Sequence, residues 1–133
     1  MPREDSLMRQ ISELGFALKR LMERMKGGGS GSGLTLDSDP VDKALTEEIG
    51  FGLDALLNVE PENIISFLLE NPGFSADNLE LFADYLTQVG QGKDYQENLY
   101  RKAVTIYDYV NKATATFSME RQNKIQAIRS KLK

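Results

Sequence analysis

An all-α fold is predicted by three features of this sequence. Apolar residues recur at helical spacing along each long segment, no stretch alternates with period 2 for long enough to make a strand, and Pro, Gly and Ser sit where helices should begin and end. Together they predict five to six antiparallel helices in a helical bundle. At 133 residues the chain is the size of one ordinary domain.

Residues 3–26 carry Leu7, Ile11, Leu14, Leu18, Leu21 and Met25 at spacings of 4, 3, 4, 3 and 4, and Met8 and Met22 widen that seam into a stripe. Arg9, Glu13, Arg20, Glu23 and Arg24 fall on the opposite side, with Phe16 the one apolar residue out of place. The stripe predicts an N-terminal helix, residues 1–26, docked on the rest of the chain, because undocked it would expose six or more large apolar side chains. A net charge of only +2 over these residues argues against a basic amphipathic helix for a membrane surface.

The run Gly27-Gly28-Gly29-Ser30-Gly31-Ser32-Gly33 has no side chain that packs or specifies a turn. Natural loops mix in Asn, Asp, Pro and charged residues, so 27–33 reads as an engineered linker with a coil span of roughly 15 Å. Leu34-Thr35-Leu36 follows without a Met. Either a long natural loop was replaced, or an N-terminal peptide was tethered to a trimmed domain. Both readings dock 1–26 on the helical domain 34–133.

Ser38-Asp39-Pro40 predicts a helix start, with Asp39 as N-cap, Pro40 at N1 and Asp42 in the first turn, followed by Val41, Ala44, Leu45 and Ile49. Gly50 and Gly52 break that helix before a short apolar segment of Leu53, Leu56 and Leu57. Glu60-Pro61 opens the next helix, whose Ile64, Ile65, Phe67, Leu68 and Leu69 are apolar nearly all round and predict a central, buried element; Asn71-Pro72-Gly73 ends it. Ser75 caps a helix with Leu79, Phe82, Leu86 and Val89, and Gly90 and Gly92 terminate it. A helix over about 94–111 carries Leu99, Ala103, Ile106 and Val110. Ser118 caps the last, with Ile125, Ile128 and Leu132 facing inward.

The segment from Leu81 to Val110 resembles a tetratricopeptide-type helix pair. Ala83 lies on its first helix, Gly90 and Gly92 at its turn, and Tyr100 and Ala103 at the aromatic and small positions of the second. Asp94-Tyr95 and Asn98-Leu99-Tyr100-Arg101-Lys102-Ala103-Val104 carry most of the likeness, which covers one pair only. The whole chain is also similar to small uncharacterised bacterial helical proteins. That resemblance implies a fold, and the tetratricopeptide likeness implies protein or peptide binding.

Composition excludes several kinds of chemistry. Without Cys there are no disulfides, thiolate nucleophiles or Cys-ligated metals, and without His there is no imidazole base or His-activated nucleophile. Asp37, Asp39, Asp42 and Glu48 fall near calcium-loop positions, but the required central Gly is missing and Pro40 favours a helix, so helix capping is the better reading. The glycines match no phosphate loop. No catalytic residue, cofactor or metal site is read, and a non-enzyme is expected. No signal peptide is read, and no apolar run approaches the ~18–20 residues of a membrane span; a cytoplasmic location is expected.

Charge is unevenly spread: residues 34–100 sum to −12 and 101–133 to +6, with Arg121, Lys124, Arg129, Lys131 and Lys133 on the last helix. These cations lie either across the acidic middle of the chain or on a surface for nucleic acid or anionic membrane. The first is favoured, and nucleic acid is not an expected partner. Five tyrosines fall between Tyr85 and Tyr109, at a core rim or at an interface. If they mark an interface, Tyr100, Arg101, Lys102 and Tyr107 are the candidate protein-binding residues, in a groove between the helices at 76–90 and 94–111. The function expected is a non-catalytic protein or peptide interaction module.

Overall fold

The computed structural model describes residues 2–28 and 39–132, with side chains for 6–25 and 40–132. The described residues form seven α-helices and one 3-10 turn: α1 (Pro2–Gly28), α2 (Asp39–Glu48), α3 (Leu53–Asn58), the turn Pro61–Asn63, α4 (Ile64–Leu69), α5 (Ala76–Gly90), α6 (Gln96–Thr114) and α7 (Met119–Leu132). The count exceeds the expected five to six because Leu53, Leu56 and Leu57 lie on a helix of their own, α3. The linker reading falls outside the described residues, except for the backbone of Gly27 and Gly28, which close α1. Asp37, Lys133 and the Asp39 side chain also lie outside them.

At the centre are α5 and α6, which share the most extensive interface among the described residues. The chain reverses between them at Gly90–Tyr95: a Cβ on Gly90 would press on Leu99, and Gly92 has φ +76°, a left-handed conformation that glycine adopts without strain. Leu79, Phe82, Ala83, Leu86 and Val89 of α5 are buried with Leu99, Ala103, Ile106 and Val110 of α6, as the spacing predicts. Edge-to-face contacts tie Phe82 to Phe74 and Phe51, with ring centroids 5.6 and 6.1 Å apart. Ser75 Oγ accepts from the Asn78 amide and Ser118 Oγ from the Arg121 amide, so both predicted caps form.

Helix α1 lies against α5 and α2. Leu14, Ala17, Leu18 and Leu21 are buried, and Phe16 points outward as expected. The first turns differ from the expectation: Leu7 and Met8 are exposed, because α1 extends past the loop at 71–74 that covers Leu14. That loop is held by Asn78, whose amide donates to Ile11 O (2.9 Å) and to Gly73 O (2.8 Å). Gly15 leaves room for Asn78, whose Oδ1 would lie 3.1 Å from a Cβ there. The segment at 61–69 is likewise less central than its composition predicts. Only Ile64 and Leu68 of α4 are buried, and Leu69 is 42% exposed.

Candidate functional site

Four helices meet around a groove of about 370 Å³. It lies over the seam between α5 and α6, with α1 and α7 as its walls. Its most buried lining residues, Tyr100 and Tyr107 of α6 and Ile128 of α7, form the floor. Met22 of α1 contributes one wall, and exposed Ala127 and Lys131 of α7 stand at the rim opposite. Asp84, Thr87 and Gln88 of α5 supply half-buried polar groups.

The four candidate residues do not share this site. Tyr100 and Tyr107 are seven residues apart and so share a face, but they are core residues beneath the groove, each about 1% exposed. Arg101 and Lys102 point roughly 100° and 200° away from Tyr100 around α6. They line a separate polar cavity of about 470 Å³ beside Leu57–Pro61. There Arg101 forms a salt bridge with Glu97 (2.7 Å). Lys102 is buried and its amine donates to Asn98 Oδ1, while the Asn98 amide donates to Leu57 O at 3.1 Å. Burial lowers the Lys102 pKa, against the opposing pull of the Glu60 charge.

One side of the groove is built from charge. Arg121 of α7 is 8% exposed; its guanidinium forms a salt bridge with Glu80 (3.1 Å) and donates to Asn111 Oδ1 (2.6 Å). Lys124, a turn further on, reaches Asp84 at 3.1 Å and Glu80 at 3.4 Å. Asp84 also accepts from the Tyr107 hydroxyl, and the Lys124 amine lies 5.7 Å from the Tyr107 ring centroid. Burial alone would lower the Lys124 pKa, but the Asp84 and Glu80 carboxylates together hold it above its ordinary value. Burial first, and the Asp84 carboxylate second, push the Tyr107 hydroxyl well above the usual phenol range. Arg129 lies 3.6 Å from Asp108. Three cations of the last helix thus lie across acidic side chains of α5 and α6.

Asp42 and Glu48 are also engaged elsewhere. Asp42 Oδ1 accepts from the Leu53 amide (2.7 Å) and so caps α3 from outside. Glu48 takes a bidentate bond from Arg20 of α1, at 2.8 and 3.2 Å. Among the described residues there is no cluster of three acidic side chains that could hold a metal ion, and no helix is long and apolar enough to cross a membrane.

Sequence reasoning missed Met22, Gln88 and Ala127 as groove residues. The spacing of Ile125 and Ile128 shows that α7 docks, but nothing local shows how far from α1 it lands. No family model, no curated protein and no solved structure matches the chain.

Proposed function

We propose that the protein is a non-catalytic interaction module that seats apolar side chains of a protein or peptide in the groove over the α5–α6 seam. The observation that carries this reading is the groove itself: an aromatic and aliphatic floor, with a few polar groups converging at its edge. At about 370 Å³ it has room for two or three side chains rather than for a whole helix. The tetratricopeptide likeness supports the same reading through features of the α5–α6 pair. Ala83 and Ala103 are fully buried, Gly90 permits close approach at the turn, and Gly92 takes the left-handed conformation. In this reading α1, α5, α6 and α7 form the bundle, and 27–33 is an engineered connection that leaves α1 docked. Binding of nucleic acid or anionic membrane through α7 is the weaker reading, since Arg121, Lys124 and Arg129 are already paired with carboxylates.

The test is selection from a displayed random-peptide library on the full chain, repeated with Ala127→Trp. Ala127 is exposed, so the indole obstructs the groove without disturbing the core. Apolar peptides should bind the parent chain and lose about tenfold or more in affinity on the variant. Peptides that bind both equally would overturn the proposal.

A further inference from the structure

Helix α7 carries opposite charges at its two ends that find no ion-pair partner among the described residues. Arg121, Lys124 and Arg129 pair with carboxylates of α5 and α6. Glu120 in the first turn and Lys131 in the last make no ion pair among the described residues. Each stands beside an apolar feature. Next to Glu120 are Phe117 and Met119, 70% and 63% exposed, at the corner between α6 and α7. Lys131 stands on the rim of the apolar groove.

We propose that copies of this chain associate head to tail, Phe117 and Met119 of one copy entering the groove of the next while Glu120 reaches Lys131. The proposal rests on the groove reading above and names its occupant. Two large apolar side chains and a carboxylate within four residues match a small apolar groove with one unpaired cation at its edge. Phe117 would lie against the Met22 thioether and Ala127, above the buried Tyr100 and Tyr107, surroundings that suit an aromatic ring. The other exposed apolar pair, Leu7 and Met8, stands between Asp5 and Arg9, whose opposite charges cancel as partners for Lys131. Because knob and groove are different surfaces, the contact is heterologous, and each added copy leaves one of each free.

Sedimentation of the full chain from about 10 μM to about 1 mM tests this, in the range expected of a weak contact. The mass should rise with concentration, and less steeply at high salt. Knob variant Phe117→Ser/Met119→Ser and groove variant Ala127→Trp alter exposed positions, and each should weaken self-association about tenfold or more. Mixed in equal amounts, the two should form a dimer that stops at two copies, because the knob variant keeps an intact groove and the groove variant an intact knob. A chain that stays monomeric throughout, association that survives both variants, or loss on Leu7→Ser/Met8→Ser instead would overturn the proposal. If library peptides still bind in the groove while the parent chain stays monomeric, self-association fails and the groove reading stands; if neither is seen, both fail.

Discussion

Two helices dock on the α5–α6 pair by different physics. Helix α1 is held by an apolar stripe, with Leu14, Ala17, Leu18 and Leu21 all buried. Helix α7 buries only Ile125 and Ile128 as large aliphatics, and beside them a charged network of Arg121, Lys124, Glu80, Asp84 and Tyr107. An apolar stripe is strong but indifferent to direction, and it alone does not fix where along α5 the helix stops. On α5 that register comes from a polar group, Asn78, bonded to Ile11 O beside Gly15. In α7 the network supplies attachment and register together, at the cost that losing one member strands another. Burial should therefore govern α1, and pairing α7.

The largest effect is expected where burial acts alone. Leu18 is fully buried on α1, and Leu18→Ala should cost about 2–5 kcal/mol in urea unfolding. A loss below ~1 kcal/mol would mean that α1 is carried by its polar ties, and the comparison would collapse.

Next comes the α7 network. Glu80→Gln removes the charge that Arg121 and Lys124 share, leaving a nearly buried guanidinium with neutral partners, for about 1–3 kcal/mol. Pairing it with Arg121→Met should restore part of that loss, because no stranded charge then remains. A double variant less stable than the sum of the singles would show that α7 is not governed by pairing.

These attachments also explain what was legible in the sequence. The 4-3 spacing of Leu14, Leu18 and Leu21 identifies α1 directly, since an apolar seam repeats with the helix. Ile125 and Ile128 are visible in the same way, but the role of Arg121 is not: a cation buried against Glu80, 41 residues away, has the same local pattern as one in solvent. The seven-residue spacing of Tyr100 and Tyr107 puts them on one face, yet core rim and interface share a spacing, and only the arrival of α1 and α7 above them decides their burial. Leu7 and Met8 show the converse. Their periodicity continues the stripe past the end of the surface that could cover it.

Alkaline titration sharpens the comparison on both sides of α5. Burial raises the Tyr85 phenol to about 12, with the Tyr95 phenol adding to the rise and the Arg24 charge of α1 opposing it; Tyr107 under α7 is also raised. A phenol harder to ionise in the folded state than in the unfolded one contributes stability that is fully present below pH ~10 and is lost as pH rises through the folded value. Stability should therefore fall between pH ~10 and ~12, and Tyr85→Phe should flatten that fall. A curve unchanged by Tyr85→Phe would place the alkaline loss elsewhere.

The smallest effect concerns the exposed charge pairs between α1 and α2, of which Arg20–Glu48 is the shortest. Arg20 grips both oxygens of Glu48, the shorter contact at 2.8 Å, whereas Arg121 donates twice to a single oxygen of Glu80; the Arg20 side chain is 58% exposed against 10% for Arg121. Water and salt screen the outer pair, and ordering two long side chains opposes what Coulomb attraction remains. The Arg20 hydrogen bond lowers the Glu48 pKa; desolvation opposes it, and the Arg20 and Arg24 charges reinforce it. That small contribution is present above the ordinary carboxylate range and is lost as pH falls through it. Arg20→Gln should thus shift the unfolding midpoint least of the variants here, and about 0.5 M salt should erase even that shift. Arg121→Gln should destabilise clearly, at low and high salt alike. Equal, equally salt-sensitive shifts from the two arginines would mean that exposure does not separate the two attachments, and that α1 relies on charge as much as α7 does.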